Sequence, residues 1–372
     1  MRTANGWNRI EKKVMEGKRL SPAEGVSLLS EKYPFLELGA LADWKRFRLF
    51  PERQVTFVID ANPNYTNVCD TGCHFCAFFR RPGHPEAYTL TVEQVLEKIG
   101  ASAARGATTV LLQGGHNRGL PLEYYEELLR ETARRYPGMT PHFFSAPEIR
   151  TMAEVSGRPV PEVLKILWNA GQRTLPGGGA EVLSRRVRRE ISPKKGGPED
   201  WLEVHRVAHR LGYRSTATLM FGHVETPGDV VEHWDRLRNL QDETGGFTAF
   251  IPWSFKPGNT ALEKKGLRPA GAVRYLRILA ASRLYLDNFP HVQASWFSEG
   301  RKTGQAALRF GADDFGGTVF DENVHAAAGH RAAAAAEEVA ALIREAGFVP
   351  VQRDTLYKTL KIFPGPGRRA RR

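Results

Sequence analysis

From about residue 53 onward the chain alternates short apolar runs with longer amphipathic segments. The apolar runs cover 55–60, 108–113, 142–146, 173–175, 215–221, 248–253, 291–296 and 314–319. Their length and their β-branched and aromatic content predict buried parallel strands. The segments between them repeat with the helical period. Thr91-Val92-Glu93-Gln94 reads as a capping box, and Val92, Val95, Leu96, Ile99 and Ala103 then share one face. Leu122, Tyr125, Leu129, Ala133 and Tyr136 mark a second helix, and Thr226-Pro227 opens a third with Val230, Trp234 and Leu237 inward. About eight strand–helix units predict an α/β fold of the (β/α)8 TIM type, closed or nearly closed, with a doubly wound open sheet as the rival. Ser21-Pro22-Ala23-Glu24 is a helix start within a helical N-terminal extension, 1–50. The barrel then spans 51–322. An Ala-rich helix over 332–346, stopped by Gly347, belongs to a helical C-terminal extension with a basic tail, 323–372.

Composition narrows this picture only slightly. Apolar residues make up 41% and charged residues 25% of the 372, so a folded core is expected rather than wholesale disorder. No run approaches the roughly 18 apolar residues of a membrane span. The first residues lack the apolar core of a secretory signal, which points to the cytoplasm. The net charge of +12 is uneven: 185–195 and 365–372 hold nine of those charges. The rest is close to neutral, which argues against a nucleic-acid groove and leaves room for a small anionic substrate. The C-terminal arginines read as a solvated end.

The informative chemistry is the cysteine spacing. All three cysteines, Cys69, Cys73 and Cys76, fall within eight residues directly after the first strand. An odd number so confined is no disulfide framework and reads as a metal site in a reducing compartment. Three thiolates can hold three corners of a 4Fe–4S cluster, and no fourth cysteine exists to ligate the last iron. That open iron can take the amino and carboxylate groups of S-adenosylmethionine. The alternative is a zinc site completed by His74 or His84, but zinc prefers two separated ligand pairs.

The spacing Cys69-x-x-x-Cys73-x-x-Cys76 resembles the signature of the radical S-adenosylmethionine superfamily. Asn64-Tyr65-Thr66-Asn67-Val68-Cys69, Cys76-Ala77-Phe78-Phe79-Arg80 and Leu112-Gln113-Gly114-Gly115 resemble its menaquinone-pathway and deazaflavin-cofactor branch. So do Pro176-Gly177-Gly178-Gly179-Ala180-Glu181, Phe250-Ile251-Pro252-Trp253-Ser254-Phe255 and Pro257-Gly258-Asn259-Thr260. The resemblance runs from about Leu20 to Tyr357. Ala61, Pro63 and His116 depart from the family pattern, and His116 stands where an acidic contact to the methionine amino group is usual.

The resemblance implies an iron–sulfur enzyme with S-adenosylmethionine as cofactor and an electron donor such as flavodoxin or ferredoxin. It implies a small-molecule substrate, dehypoxanthine futalosine, cyclised when a 5′-deoxyadenosyl radical takes hydrogen from its ribose and the sugar radical adds to the benzoate ring. Neighbouring members of the branch, which make aminofutalosine or the deazaflavin cofactor, are the alternatives. A zinc-stapled RNA-binding module is the reading of a different class, but the basic residues lack interleaved aromatics. Phe75, Gln113, Gly114, Gly115, Ser145 and Glu148 are candidate cofactor contacts, although a glycine pair is often only a turn and Glu148 suits a helix start. Gly177, Gly178 and Gly179 could open space for a substrate, or merely connect; Trp253 and Phe255 could stack on it, or belong to the core. Asp60, Glu225, His116 and His223 lie at or just beyond strand ends, where barrel active sites form, and are the candidate catalytic residues.

Overall fold

In the computed structural model, which describes residues 2–363, the apolar runs form strands β1 (Gln54–Val58), β2 (Asp60–Ala61), β3 (Thr109–Leu112) and β4 (Thr140–Phe143). There follow β5 (Thr174–Leu175), β6 (Arg214–Phe221), β7 (Phe247–Ser254), β8 (His291–Val292) and β9 (Asp314–Gly317). Parallel ladders join β2–β3–β4, β5–β6–β7–β8 and β1–β9. A single parallel bridge between Gln293 and Asp314 carries β8 across to β9. Between β4 and β5, side chains take the place of a ladder. Gln172 Nε2 donates to the Phe143 carbonyl at 2.5 Å, and Thr174 Oγ1 to that of Pro141 at 3.2 Å. Helices Val92–Ala104, Leu122–Arg135 and Pro227–Thr244 cover the outside, two of them opened by the boxes Thr91–Gln94 and Thr226–Asp229. This is the (β/α) barrel the alternation predicts.

Two predicted strands stop early, for a local reason. The 142–146 run ends at Phe143 because Ser145, Pro147 and Glu148 form a capping box that starts the helix Ala146–Ser156. The 291–296 run ends at Val292, and Trp296 opens a short helix. Strong helix-start chemistry outranks apolar alternation at both places.

The C-terminal extension differs more from the expected helices. After the helix Ala336–Glu345 come strands β10 (Val349–Arg353) and β11 (Thr359–Ile362). β10 pairs in parallel with β1, Gln54 against Val349, on the edge opposite β9. The slot buries Pro350, Val351, Gln352 and Arg353 and half-buries Val349, and the two valines suit a strand. The turn after β10 lies under the barrel. Thr355 Oγ1 is 2.7 Å from Thr109 Oγ1, Arg353 pairs with Asp314 at 2.5 Å, and Tyr357 stacks on His291 with centroids 3.6 Å apart. The basic tail predicted at the end lies outside the described residues. At the other terminus, helices Arg2–Met15, Pro22–Leu28 and Phe35–Leu49 form the expected extension. No helix among the described residues is long and apolar enough to cross a membrane.

Candidate active site

A cavity of about 310 Å³ runs along the barrel axis, from the loops after the strands down to the β10 turn. Its lining includes Cys69, Cys73 and Cys76, together with Phe75, Gln113, Gly114, Gly115, His116, Ser145, Glu148, Gly177, Gly178, Gly179, Trp253 and Asp60. Thus most residues singled out in the sequence meet at one place. Phe255, His223 and Glu225 do not line it. Phe255 is 1% exposed in the core. His223 Nε2 lies 3.0 Å from the Met220 carbonyl, while Glu225 caps the backbone of Gly222 and His223 and pairs with Arg274 at 2.5 Å. These two polar groups tie a turn beyond β6 rather than face the axis.

The cysteine loop is dry and closely packed. Cys69 and Cys73 are buried, and the Thr71 hydroxyl sits between them, 3.0 Å from one sulfur and 3.5 Å from the other. Burial pushes the Cys73 thiol up and the Cys76 thiol to about 11, so neither ionises unaided near neutral pH. A bound metal would supply the missing stabilisation of thiolate. Neither candidate zinc histidine lines the cavity with the cysteines: His74 Nδ1 lies 2.8 Å from the Glu190 carbonyl, and His84 Nδ1 accepts from the Glu86 N–H. Among the described residues no three His, Cys, Asp or Glu side chains gather around a single-ion position. Three thiols spaced around a common cavity, with no histidine gathered among them at a single-ion position, fit a multi-iron cluster better than one zinc.

The glycines work by close approach. A Cβ on Gly115 would strike the Val68 carbonyl and come within 2.9 Å of Cys69 Cβ. Gly115 therefore lets the strand end press against the cysteine loop itself; the space its missing side chain leaves is already filled by protein. Gly114 rests on the Tyr65 ring in the same way. Gly177 packs on the β6 backbone, where a Cβ would lie 2.7 Å from the Thr216 carbonyl, and Gly178 packs on the Gln113 amide. The run opens less room than its composition suggests. It brings backbone, with its N–H and C=O groups, to the cavity wall.

Glu148 organises one side of this wall. Its carboxylate accepts from Tyr65 Oη at 2.6 Å, Gly114 N at 2.9 Å, Ser145 N at 2.7 Å and Ser145 Oγ at 2.5 Å. Ser145 and Glu148 thus spend their polar groups on each other and on the backbone. Lys195 was legible only as one of a basic run, yet it is mostly covered and pairs with Glu181 at 2.6 Å, 5.5 Å above the Phe75 ring. Burial opposes the Glu181 charge, but Lys195 outweighs it and holds the carboxyl below the usual range. His116 is driven down to about 3 by burial and by the nearby Lys195, Arg118 and Arg150, which makes it a neutral imidazole. Asp60 goes the other way: burial lifts it to about 6 although the Val319 N–H donates to it.

The lining also has residues that no motif announced: Phe297, Glu322, Val324, His325 and Gln293, with Arg353 and Tyr357 at the bottom. They come from turns after β8, β9 and β10, far apart in the chain. Asn62, also on the lining, has a buried Oδ1 without a partner.

A (β/α) barrel with three cysteines on the loop after its first strand, facing an axial cavity, is the framework of a cluster-dependent barrel enzyme. Comparison with known proteins specifies which. The model of the radical SAM superfamily matches residues 64–237, and that of the CofH/MqnC C-terminal region matches 244–364. The chain is 42% identical to cyclic dehypoxanthine futalosine synthase of Halalkalibacterium halodurans, over 95% of each chain. It is 39% identical to aminodeoxyfutalosine synthase of Thermus thermophilus, over 95% of this chain and 96% of the other. Among solved structures, the FeFe-hydrogenase maturase HydG shares the fold with a TM-score of 0.75 at 16% identity, over 94% of this chain and 76% of that one. The chain belongs to the radical S-adenosylmethionine superfamily, in the branch with the CofH/MqnC C-terminal region. It is accordingly a radical enzyme with a 4Fe–4S cluster and S-adenosylmethionine as cofactors.

Proposed function

We propose that this enzyme cyclises dehypoxanthine futalosine, in the futalosine route to menaquinone, and that Cys69, Cys73 and Cys76 hold its cluster. The observation that carries the reading is the lining of the cavity. Thiols, glycine backbone and aromatic side chains meet there, in a chain 42% identical to a cyclic dehypoxanthine futalosine synthase. When bound, the cluster and S-adenosylmethionine supply hydrogen-abstracting radical chemistry. The protein's share is to orient the sugar toward the ring and to keep water out. Trp253 and Phe297 provide faces for an aromatic acid, and the Gly177–Gly178 backbone lies opposite. Closing a bond to the ring and restoring its aromaticity releases one electron and one ring proton, so a proton acceptor is needed. Asp60, with its carboxyl lifted to about 6 and facing the cavity, suits that work near neutral pH, whereas His223 and Glu225 lie off the axis.

The partner in electron transfer on this reading is flavodoxin or ferredoxin, and the compartment is the cytoplasm, where three unpaired thiols stay reduced. Nucleic acid is not a partner. The basic run supports this, because Arg188 is spent on the carbonyls of Gly179, Ala180, Lys195 and Gly196, and Arg185 and Arg186 pair with Glu199 and Asp229. Incubating the reconstituted enzyme with S-adenosylmethionine and ribose-deuterated substrate tests the reaction. Free 5′-deoxyadenosine carrying the deuterium, with a cyclised product of the same carbon count and two hydrogens fewer, supports the cyclase. Adenosyl carbons retained in the product would instead assign an aminodeoxyfutalosine-type addition.

A further inference from the structure

The turn after β9 carries a histidine whose outer nitrogen has nothing to bind. Glu322 accepts the backbone N–H of His325 at 2.8 Å and of Ala326 at 3.2 Å, and its carboxylate lies 3.4 Å from His325 Nδ1. Burial opposes the Glu322 charge, but the His325 side chain and these N–H groups outweigh it and keep the carboxyl below its ordinary range. An ionised carboxylate only accepts, so in the neutral imidazole the proton belongs on Nδ1, the nitrogen facing it, and Nε2 is the acceptor. That Nε2 is buried, has no hydrogen-bond partner, and belongs to a residue lining the cavity. The ring cannot easily turn to find one. Trp253 and Phe297 both meet it edge to face, with centroids 5.2 and 5.4 Å away.

The segment is also anchored at several points. Asn323 donates to Asn64 Oδ1 at 3.2 Å, Asn259 Nδ2 donates to the Ala327 carbonyl at 2.9 Å, and His330 Nε2 lies 2.6 Å from the Phe297 carbonyl. A buried acceptor without a donor is costly, and it persists where a ligand supplies the missing partner. A bare lone pair rejects a carboxylate and accepts a hydroxyl. Resting on the cyclase reading above, we propose that His325 Nε2 accepts a hydrogen bond from a sugar hydroxyl of dehypoxanthine futalosine. Trp253 and Phe297 pack against the same sugar–aryl unit, and Glu322 is the positioning residue that fixes the tautomer. The aromatic wall thereby sets which face of the sugar looks toward the cysteine loop.

The test uses the full-length, reconstituted enzyme as wild type, His325→Phe and His325→Gln, with the substrate and its 2′- and 3′-deoxy sugar analogues. His325→Phe is expected to raise the KM for the substrate about tenfold, the scale of one lost hydrogen bond together with its unmet donor. Iron content and the KM for S-adenosylmethionine stay unchanged. His325→Gln, whose amide oxygen can stand near the Nε2 position, recovers most of the loss. One deoxy analogue costs the wild type a similar factor and costs His325→Phe nothing further. Full additivity for both analogues, or an unchanged substrate KM in His325→Phe, overturns the His325 assignment alone. Failure of the wild type to cyclise dehypoxanthine futalosine overturns the functional reading, and the assigned ligand falls with it.

Discussion

The two walls of the cavity are made in opposite ways. On the cysteine side, side chains have been removed so that backbone can approach. Gly114, Gly115, Gly177 and Gly178 each sit where a Cβ would collide with protein, and Glu148 binds four donors from three segments. On the far side, side chains have been added: Trp253, Phe297 and His325 meet edge to face, and one nitrogen is left open. The first wall has no slack, as suits a bulky cofactor shared across a superfamily. The second is side-chain chemistry that can be exchanged without moving the barrel, as suits a substrate that differs between relatives. Substitutions on the first wall should therefore damage assembly, and those on the second should shift substrate affinity.

The largest effect is expected from Cys73→Ala. Reconstituted wild type should bind roughly four irons, and the variant should lose the cluster's visible absorption and all cleavage of S-adenosylmethionine. A stable one-zinc protein without iron uptake would break the comparison at its first wall. Gly115→Val comes next. Because the new side chain meets Val68 and Cys69, iron content and activity should fall together, activity by about a hundredfold or more. Normal iron content with weakened S-adenosylmethionine binding would instead mean that the glycine faces the cofactor.

Glu148→Ala should cost about 2–4 kcal/mol of stability, read as a lower denaturant midpoint, since it strands Tyr65, Gly114 and Ser145 donors in a dry interior. Asp60 gives a pH signature of similar or smaller size. Its folded value, about 6, lies above the unfolded value near 4, so the native state holds a proton that the unfolded chain releases. Its contribution is fully present below about pH 4 and is lost as pH rises through about 6, on the order of 3 kcal/mol at most. Asp60→Asn should flatten that part of the stability–pH curve; an unchanged slope would place the titration elsewhere. The smallest effect is expected from Trp253→Phe, which keeps an aromatic face. The substrate KM should rise by no more than about threefold, with cluster content unaltered. A loss as large as that of Gly115→Val would erase the distinction between the walls.

What could be read from the chain follows the same division. Cys69, Cys73, Cys76 and the glycine pairs announce themselves because their spacing is local and their chemistry restrictive. The barrel strands were legible through alternation, except where Ser145-Ala146-Pro147-Glu148 substitutes a helix start for a strand end. His325 and Phe297 gave no signal, since an isolated histidine in an Ala-rich stretch acquires meaning only beside Trp253. His223 and Glu225 misled for the converse reason. They follow a strand end, but the turn folds back so that each satisfies backbone and Arg274 instead of the axis. Lys195 was hidden in a run of charges and is distinguished only by its burial against Glu181.

The placement of β10 has a consequence for biosynthesis. Gln54, in the first strand to leave the ribosome, takes Val349 as its neighbour, about 295 residues later. At translation rates of 5–20 residues per second, β1 waits roughly 15–60 s for that partner. Until β9 emerges both edges of the barrel's opening strand are unpaired, one stays so until β10 follows, and the floor formed by Arg353, Thr355 and Tyr357 does not yet exist. The nascent barrel is thus an open-bottomed vessel until the final fifteenth or so of the chain emerges, and a cluster loaded earlier would sit in a wet, leaky site. Maturation of the cofactor is expected to follow release of the finished chain, which ties metal loading to full-length synthesis.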